Sequence, residues 1–410
     1  MDGDIPYYSR RIGSAPVFSN PYGDWSVSNL PNFAPILGAA KLTGKSQKGL
    51  SVGLVDGLTA SASVEATDAS GTEKKLEVSP LSNYLASRIK KDFKEGNTVV
   101  GGVFSMVNRI SSDSTSTLLL PSSAISGGLD LLHYWKNKNY YLEVKSIASQ
   151  LNGSTEAILR KQLSHIHRYQ RPDADHIQVD TLRESLGGHG GLVRVGKNGG
   201  KWNFHLQGQY RSPGLNLNDM GYLRQSDFIS QMAEVSYKMN EPGDWIRNYE
   251  IQFNQEARWS FGGENTLNEI GAFFTLVSNK NWIYLATYNY AFSHLDIREL
   301  RGGPALRVDG EHLSGVKVLS NSAKDLSGNA GFHYNVYGSS GSHQELWHAI
   351  ITWLPIRKLK LSGRAVFNRR QYHQQYVNTI FGVEEDQFVV GHIDQRTTYF
   401  TFRGELFLTP

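Results

Sequence analysis

Seven arginines are the side chains best suited to bind an anion, and several stand beside glycine or proline in segments that predict tight loops. They are Arg10, Arg11, Arg171, Arg211, Arg224, Arg301 and Arg307. In one interpretation their guanidinium groups pair with carboxylates such as Asp219 or Glu299 and fix the loops in place. In the other they form a basic ladder that selects anionic solutes, as charged pore linings do. Both interpretations need a surrounding architecture that folds these loops into a wet lumen.

A second group combines carboxylates with an imidazole just after Pro172. Asp173, Asp175 and His176 are ligand types found in calcium and transition-metal sites. A calcium loop needs more oxygen ligands at fixed spacing, and the sequence does not supply them. We therefore expect Asp173 and Asp175 to cap turns or to pair with Arg171, and we predict no metal site.

Residues for covalent or acid–base catalysis occur only as isolated side chains. No Gly-x-Ser-x-Gly turn is present, and nothing places a histidine beside Ser126. His189 lies between two glycine pairs, which are typical of strand curvature or a bulge. Glu384 and Glu385 are adjacent in a predicted loop, unlike the separated carboxylates of glycosidases. Because the sequence also lacks a phosphate-binding or dinucleotide-binding loop, we predict no catalytic residues and no cofactor.

One segment, residues 156–169, has the pattern of a short helix. Leu159, Leu163 and Ile166 recur at helical spacing, and Ser154 is placed to cap the N-terminus. The polar side is basic and carries Arg160, Lys161, His165, His167 and Arg168. Such a helix suits a short plug or lid that meets an anionic partner, such as lipopolysaccharide phosphate or an acidic glycan. A solvated loop helix or a long strand pair would explain the same residues.

Composition limits the class of protein that these residues belong to. The chain has 410 residues, with 41 glycines, 20 tyrosines, 18 phenylalanines and no cysteine. The lack of cysteine excludes disulfides, zinc–thiolate sites and thiol catalysis. A net charge of +4, from 42 basic and 38 acidic residues, is too balanced to indicate nucleic-acid binding. No run of 18 apolar residues is present, so the sequence predicts no transmembrane helix.

Apolar and polar residues alternate with period two along most of the chain, which predicts β-strands. One clear example sets Trp202, Phe204 and Leu206 against Asn203, His205 and Gln207. Residues 249–259, 359–368 and 399–408 repeat the pattern. A sandwich would bury the apolar face against a second sheet, whereas a membrane barrel turns it to lipid around a wet lumen. Alternation alone leaves both architectures open.

Short and long connections alternate along the chain, and this favours the barrel. Short turns are predicted at residues 45–48, 94–97, 137–139, 198–200, 241–244, 279–281, 323–327 and 355–358. Longer polar loops are predicted at residues 65–74, 109–124, 151–175, 212–225, 260–266, 294–311, 338–344 and 368–387. Bacterial barrels place short turns on the periplasmic side and long loops outside. We predict an all-β, antiparallel up-and-down transmembrane barrel with about 17 of about 18 strands present, and we expect the closing strand beyond Pro410.

Motifs spread in order over nearly the whole chain resemble one family. They include residues 8–13 (YSRRIG), 36–45 (ILGAAKLTGK), 91–93 (KDF), 170–176 (QRPDADH), 218–224 (NDMGYLR) and 301–307 (RGGPALR). In these motifs the chain resembles the outer-membrane β-barrel domain of unknown function numbered 5916. The resemblance implies a signal peptide and a carbohydrate-binding family 9-like domain upstream of Met1, in envelope proteins of the Bacteroidota type. It implies a location in the outer membrane of a Gram-negative bacterium, and it implies no particular reaction.

The chain divides into two predicted regions. Residues 1–34 are rich in proline, asparagine and serine, so we expect an irregular segment that enters the barrel mouth or lumen. Residues 35–410 form the predicted barrel. Several aromatic residues, including Trp135, Tyr140, Trp245, Trp282 and Trp347, flank predicted turns. That position is typical of the interfacial girdle of a membrane barrel, although sugar stacking also uses tryptophan and tyrosine.

Three functions remain open on the sequence. The leading hypothesis is a barrel that anchors or works with an upstream carbohydrate-binding domain, as a pore or transporter for glycan handling. The second is a barrel enzyme that acts on envelope lipid or glycan. The third is a soluble β-rich binding or adhesive protein. The partners expected for the leading hypothesis are outer-membrane lipid, lipopolysaccharide and a glycan, with no nucleic acid and with a monomeric barrel.

Overall fold

The fold is taken from a computed structural model, which describes residues 7–16, 26–67, 70–111, 118–338 and 341–407. The first strands are β1 (Ser26–Ser28), β2 (Ile36–Lys45), β3 (Leu50–Thr59), β4 (Ala62–Thr67), β5 (Glu73–Ser79), β6 (Leu81–Phe93), β7 (Thr98–Ile110), β8 (Ser123–Trp135) and β9 (Tyr140–Asn152). Helix α1 (Thr155–Gln162) and the strands β10 (Ser185–Lys197), β11 (Trp202–Arg211), β12 (Phe228–Met239), β13 (Ile246–Trp259), β14 (Asn265–Ser278) and β15 (Ile283–Ala291) follow. The last strands are β16 (His294–Asp296), β17 (Leu306–Val308), β18 (Glu311–Leu319), β19 (Leu326–Tyr337), β20 (Ser342–Ile356), β21 (Leu359–Ile380) and β22 (Gln387–Leu406).

The predicted fold class is confirmed over the described residues. The chain is all-β, with 64% of it in strands, and 17 strands belong to one large antiparallel sheet. Strands that follow one another pair as neighbours, as β6 does with β7, β7 with β8 and β8 with β9. The first long strand, β2, pairs with β3, and the last strand, β22, pairs with β21. No helix in the described ranges is long and apolar enough to cross a membrane.

The short turns lie where the sequence predicts them. They occupy residues 46–49, 94–97, 136–139, 198–201, 240–245, 279–282, 320–325 and 357–358. Several use the left-handed backbone region, with φ of +51° at Lys94, +56° at Asn137 and +60° at Asn281. Asparagine tolerates this region better than most side chains, and tight hairpins require it.

Two segments that the sequence predicts as loops contain strand residues instead. Residues 65–67 end β4 and residues 73–74 begin β5, and these two strands with β1 form a separate three-stranded sheet around Val64, Ala66 and Leu76. Most of residues 368–387 belong to β21 and β22, which pair as far as Ile380 and Gln387. Polar residues occupy both faces of this long hairpin, so the apolar alternation that identifies a strand in sequence is missing. The described part of residues 1–34 is irregular apart from β1 and one 3-10 turn, Ser9–Arg11.

The chain forms two compact units. Unit 1 comprises Met1–Val195, Gln207–Ser230 and Ser260–Gly263. Unit 2 comprises Gly196–Leu206, Gln231–Trp259 and Glu264–Pro410.

The sheet of unit 1 has one exposed apolar face and one covered face. On the exposed face, Ile89 and Leu129 leave 54% and 69% of their surface accessible. On the covered face, Tyr84, Val107 and Leu151 lie in one cross-strand row and are all buried. Three segments cover that row: residues 7–14, 153–184 and 212–227, called here the inner layer. The core of unit 1 therefore lies between its sheet and the inner layer.

The sheet of unit 2 also separates its faces by character. Along β20, Trp347, Ile351 and Trp353 point to one side and are 49–59% exposed. The alternate residues, such as His348 and Thr352, are partly buried on the other side. Cross-strand partners continue this division, since Trp347 pairs with Phe332 on β19 and with Phe367 on β21. Unit 2 thus has an exposed apolar face and a polar face.

Candidate functional site

The inner layer is the part of unit 1 where buried polar chemistry is concentrated. Ile158 of α1, Tyr169 and Met220 pack on the covered face of the sheet beside Tyr84 and Leu151. The backbone N–H of Asn216 donates a hydrogen bond of 2.9 Å to Ser149 Oγ and so connects the same layer to β9. Buried polar groups cost free energy unless they are hydrogen-bonded. The inner layer is therefore stable only if its buried polar side chains find hydrogen-bond partners when it packs on the sheet.

Helix α1 begins as the sequence predicts and ends earlier. Ser154 caps its N-terminus, where Ser154 Oγ accepts a bond of 3.2 Å from Ala157 N. The prediction of a helix over residues 156–169 is wrong at the C-terminal end, because α1 stops at Gln162. The buried Gln162 side chain makes two hydrogen bonds to the backbone of Asp180 instead. Its Nε2 donates to the Asp180 carbonyl oxygen at 2.8 Å, and its Oε1 accepts from Asp180 N at 2.9 Å. This tertiary contact replaces the later turns that the spacing of Leu163 and Ile166 predicts.

Asp219 joins three segments of unit 1 through two ion pairs. Its carboxylate lies 2.9 Å from Arg109 Nη2 at the end of β7 and 3.1 Å from Lys161 Nζ on α1. Burial by itself would raise the pKa of the Asp219 carboxyl. The positive charges of Lys161 and Arg109 outweigh burial and hold that pKa well below its ordinary value. Asp219 is therefore ionised at neutral pH and fastens the helix, the sheet and the 212–227 loop together.

His167 holds a second buried junction. Asn216 Nδ2 donates to its Nε2 at 3.0 Å, so Nδ1 carries the proton and donates to the Pro213 carbonyl oxygen at 2.7 Å. Ser226 Oγ lies 3.1 Å from the same Nδ1 and donates to the Ile166 carbonyl oxygen. Burial lowers the pKa of His167 to about 4. The imidazole is thus neutral and structural, and it connects two loops of the inner layer.

The N-terminal segment completes the inner layer. Tyr8 N donates to the Met220 carbonyl oxygen at 2.8 Å, and Arg11 Nε donates to the Gly221 carbonyl oxygen at 3.0 Å. Arg11 Nη2 also reaches Asn218 Oδ1 at 3.4 Å. The same Asn218 side chain bonds the backbone of Leu223 through both its oxygen and its nitrogen. The motifs at residues 8–13 and 218–224, which are distant in sequence, therefore form one contact.

The glycines around His189 let a loop approach the sheet. An ideal Cβ at Gly188 would lie 2.0 Å from Leu215 N, and one at Gly214 would lie 2.1 Å from the Gly187 carbonyl oxygen. No side chain fits at either position, so glycine is needed for this close backbone contact. His189 itself contacts Tyr210, with 3.3 Å between its Nδ1 and the tyrosine hydroxyl.

The structure places five of the seven predicted arginines in unit 1. Arg171 is buried and pairs with Asp173 at 3.0 Å, as the sequence predicts. Arg211 is buried with its guanidinium 4.8 Å from the centre of the Phe228 ring. Arg10 lies in the 3-10 turn beside Arg11, and Arg224 is exposed on the 212–227 loop. Arg171 thus pairs with a carboxylate as in the first interpretation, whereas Arg11 bonds the Gly221 carbonyl oxygen and Arg211 lies against the Phe228 ring.

The other two arginines lie in unit 2. Arg301 has φ of +52° and stacks on Tyr376, with 4.8 Å from its guanidinium carbon to the ring centre. Arg307 lies on β17 and is exposed. Glu299, one expected carboxylate partner, accepts a bond of 3.2 Å from Tyr376 N. Anion binding by the seven arginines stays a prediction.

Other candidate residues also have defined contacts. His176 Nε2 lies 2.9 Å from Asp227 Oδ1, and Asp227 Oδ1 also accepts from Phe261 N at 3.0 Å. His176 thus pairs with a carboxylate from another loop. In the described ranges, no group of three or more metal-ligating side chains is close enough to hold an ion.

Sequence reasoning missed several polar residues that hold the inner layer together. Arg109 was placed in a loop and Lys161 on a basic helix face, whereas both face Asp219. Asn216 and Ser226 lie in no recognised motif, and Asn218 lies in the 218–224 motif without an assigned role. The sequence signal at Asn216 and Asn218 is the run of asparagines and an aspartate between Pro213 and Gly221, which is typical of a loop with internal side-chain hydrogen bonds.

The polar face of unit 2 carries a row of amide side chains across neighbouring strands. Cross-strand pairing places Asn254, Gly271, Asn289, Leu313, Asn335, Gln344, Arg370 and Gln395 in register from β13 to β22. The amides of Asn254 and Asn289 fill the space that a side chain at Gly271 would occupy. Tyr337 donates its hydroxyl hydrogen to Gln344 Oε1 at 3.0 Å. This set, called here the amide row, offers both donors and acceptors along one line.

Comparisons with known proteins give a family and distant structural similarities. No curated protein matches the chain. An anion-selective porin from Comamonas acidovorans matches at 11% identity with a TM-score of 0.37, over 87% of this chain and 100% of the porin chain. OccK11 (OpdR) of Pseudomonas aeruginosa matches at 8% identity with a TM-score of 0.40, over 98% of this chain and 100% of its own. The family model described as "Domain of unknown function (DUF5916)" matches residues 2–410, and the chain therefore belongs to the DUF5916 family.

Proposed function

We propose that the chain forms the wall of an outer-membrane β-barrel, with its exposed apolar face against lipid and its polar face around water. The alternation along β20 carries this proposal, because Trp347, Ile351 and Trp353 are exposed while His348, Ile350 and Thr352 on the other face are partly buried. Soluble proteins rarely expose continuous apolar surface on this scale. A membrane barrel requires it, since lipid replaces the second apolar layer.

The dimensions of the apolar face support the same proposal. From Trp347 to Ile356 the exposed face of β20 extends for roughly 30 Å along the strand. At the usual strand tilt of about 40°, this length corresponds to a band roughly 23 Å tall. Transmembrane barrels have an apolar band about 25 Å tall. The strand is therefore long enough to cross the hydrocarbon core.

Glycan handling is the function that the polar chemistry supports best. Amides donate and accept hydrogen bonds, so the amide row matches solutes rich in hydroxyl groups. Tyr337 and Tyr372, which contact each other edge to face with ring centres 6.0 Å apart, add aromatic surface beside it. We propose that unit 2 lines a path for such solutes, while the inner layer fills the interior of unit 1. A partnership with an upstream carbohydrate-binding domain fits this path and is implied by the family resemblance.

Reconstitution in planar bilayers tests the proposal. The purified chain should form discrete conducting steps, and a neutral oligosaccharide should reduce the current. Asn254→Leu combined with Asn289→Leu should weaken the sugar effect at least several-fold. Gln255→Leu is the matched control, because this neighbouring amide pairs with Ile270 on the opposite face of the sheet. A chain that inserts without conducting, or a sugar effect that the double variant leaves unchanged, would contradict the proposed path.

A further inference from the structure

Two histidines meet on the long hairpin of β21 and β22 in unit 2. The Nδ1 atoms of His373 and His392 are 3.1 Å apart, and their ring centres are 4.3 Å apart with 39° between the ring planes. Both side chains are exposed. Neither residue belongs to the amide row or to the inner layer. The pair therefore has no part in the function proposed above.

A break in strand register lies at this pair. Tyr372 pairs with Ile393 and Gln375 pairs with Gly391, so two residues of β21 lie opposite the single residue His392. This arrangement is a β-bulge, which redirects side chains locally. Ser342 on the neighbouring β20 accepts a bond of 3.0 Å from His373 N and anchors the bulge. The bulge and the bond to Ser342 thus fix the backbone of His373 opposite His392.

We propose that His373 and His392 form a binding site for a divalent transition-metal ion, namely Cu(II), Ni(II) or Zn(II). Imidazole nitrogen is a favoured ligand of all three metals. A metal about 2.05 Å from each nitrogen, with the nitrogens 3.1 Å apart, makes an N–metal–N angle of about 98°. That angle lies between the ideal values of square-planar and tetrahedral coordination. The two nitrogens are therefore already spaced as ligands of a single ion.

Asp394 lies two residues along β22 from His392, on the same face of the strand. Its carboxylate accepts a bond of 3.0 Å from Gln371 Nε2, and its charge is close enough to interact with His392. A nearby carboxylate favours a cation at the histidine pair. Arg369 and Arg396 lie opposite each other two residues further along the strands than Gln371 and Asp394. Their positive charges oppose the binding of a cation. The site therefore has two protein ligands, with water in the remaining positions.

A bound ion would link the two strands of the hairpin beyond the apolar band. Binding to the folded hairpin alone stabilises it in proportion to the metal concentration above the dissociation constant. In the membrane orientation proposed above, on which this step rests, the ion fastens the hairpin where the strands extend past the lipid. A metal ion that links the two strands should slow hydrogen exchange of the backbone amides around His373 and His392. An ion bound to a single surface histidine would not have this effect.

Copper titration of the full chain in detergent micelles, without a polyhistidine tag, tests the site. The wild-type chain should bind one Cu(II) with an electron paramagnetic resonance signal that shows two coupled nitrogens. His373→Gln and His392→Gln should each weaken binding at least tenfold. The matched control is His312→Gln, because exposed His312 on β18 contacts Tyr288 instead of a second histidine. All variants are compared after heat-modifiable migration has confirmed that they are folded.

A second measurement uses hydrogen exchange with and without Zn(II). Amides of residues 371–376 and 390–394 should exchange more slowly when zinc is present, and this effect should vanish in His392→Gln. Equal copper affinity in wild type and both single variants would overturn the site. A one-nitrogen copper signal, or zinc protection that persists in His392→Gln, would do the same.

Discussion

At the scale of single residues, Asp219 is the contact on which the inner layer depends most. Its buried carboxylate neutralises two cations from different segments, Arg109 and Lys161. Removing one member of a buried ion pair leaves the other charge uncompensated. We expect Asp219→Asn to destabilise the inner layer by about 3 kcal/mol, measured by hydrogen exchange of residues 153–184 and 212–227.

The control for this change is an ion pair at the surface. Lys201 and Glu241 lie 2.8 Å apart and are both exposed, so Glu241→Gln should have a much smaller effect than Asp219→Asn. A result in which the two substitutions have equal effects would show that Asp219 is not the junction of the layer.

His167 gives the inner layer a predicted pH dependence. The pKa of the folded-state imidazole is about 4, below the ordinary value of about 6.5. Between these values the unfolded state binds more protons, so stability is complete above pH 6.5 and falls as the pH drops towards 4. The full loss is about 3 kcal/mol. Hydrogen exchange of residues 164–171 at pH 7.5 and pH 5, corrected for intrinsic rates, measures the effect.

The matching variant is His167→Gln, which has no titrating group at this position. Its exchange protection should be lower than in wild type at pH 7.5 and nearly constant between the two pH values. The Asp219 carboxyl does not interfere, because its pKa lies below its ordinary value and outside this range. An unchanged pH dependence in His167→Gln would assign the titration to another group.

At the scale of elements, α1 illustrates which features the sequence predicts and which it does not. Ser154 is recognisable as an N-cap because capping is local. Ser154→Ala should therefore cost about 1 kcal/mol of local stability, seen as faster exchange of the amides of residues 156–159. Thr155→Ala is the control, since Thr155 is the first residue of the same helix and its substitution keeps the Ser154 cap. No difference between these variants would mean that tertiary packing alone holds the helix start.

Long-range contacts explain what the sequence left unpredicted. The end of α1 is set by Gln162 and Asp180, and neither residue carries a local stop signal. The extension of β21 to Ile380 depends on pairing with β22, where polar residues on both faces hide the strand period. The short turns were predictable because their backbone requirements are local. The Asp219 junction was not, because Arg109, Lys161 and Asp219 meet only after the layer folds.

At the scale of the whole molecule, the proposed barrel predicts which connections between strands lie outside the cell. The chain has no cysteine, so single cysteines can be introduced without interference. Glu385→Cys lies in the loop between β21 and β22, and Lys324→Cys lies in the short turn between β18 and β19. With the chain exported to the outer membrane, a membrane-impermeant maleimide should label Glu385→Cys on intact cells. It should label Lys324→Cys only after the outer membrane is opened; the reverse pattern would invert the topology.

The contact between the apolar face and lipid is tested most directly by scanning β20 with nitroxide-labelled cysteines at residues 346–353 in lipid vesicles. Oxygen, which concentrates in lipid, should collide most often with labels at positions 347, 349, 351 and 353. A water-soluble nickel chelate should favour the positions between them. This two-residue alternation is the predicted result. Low collision rates for both reagents at the odd positions, as expected beneath another protein layer, would contradict the account.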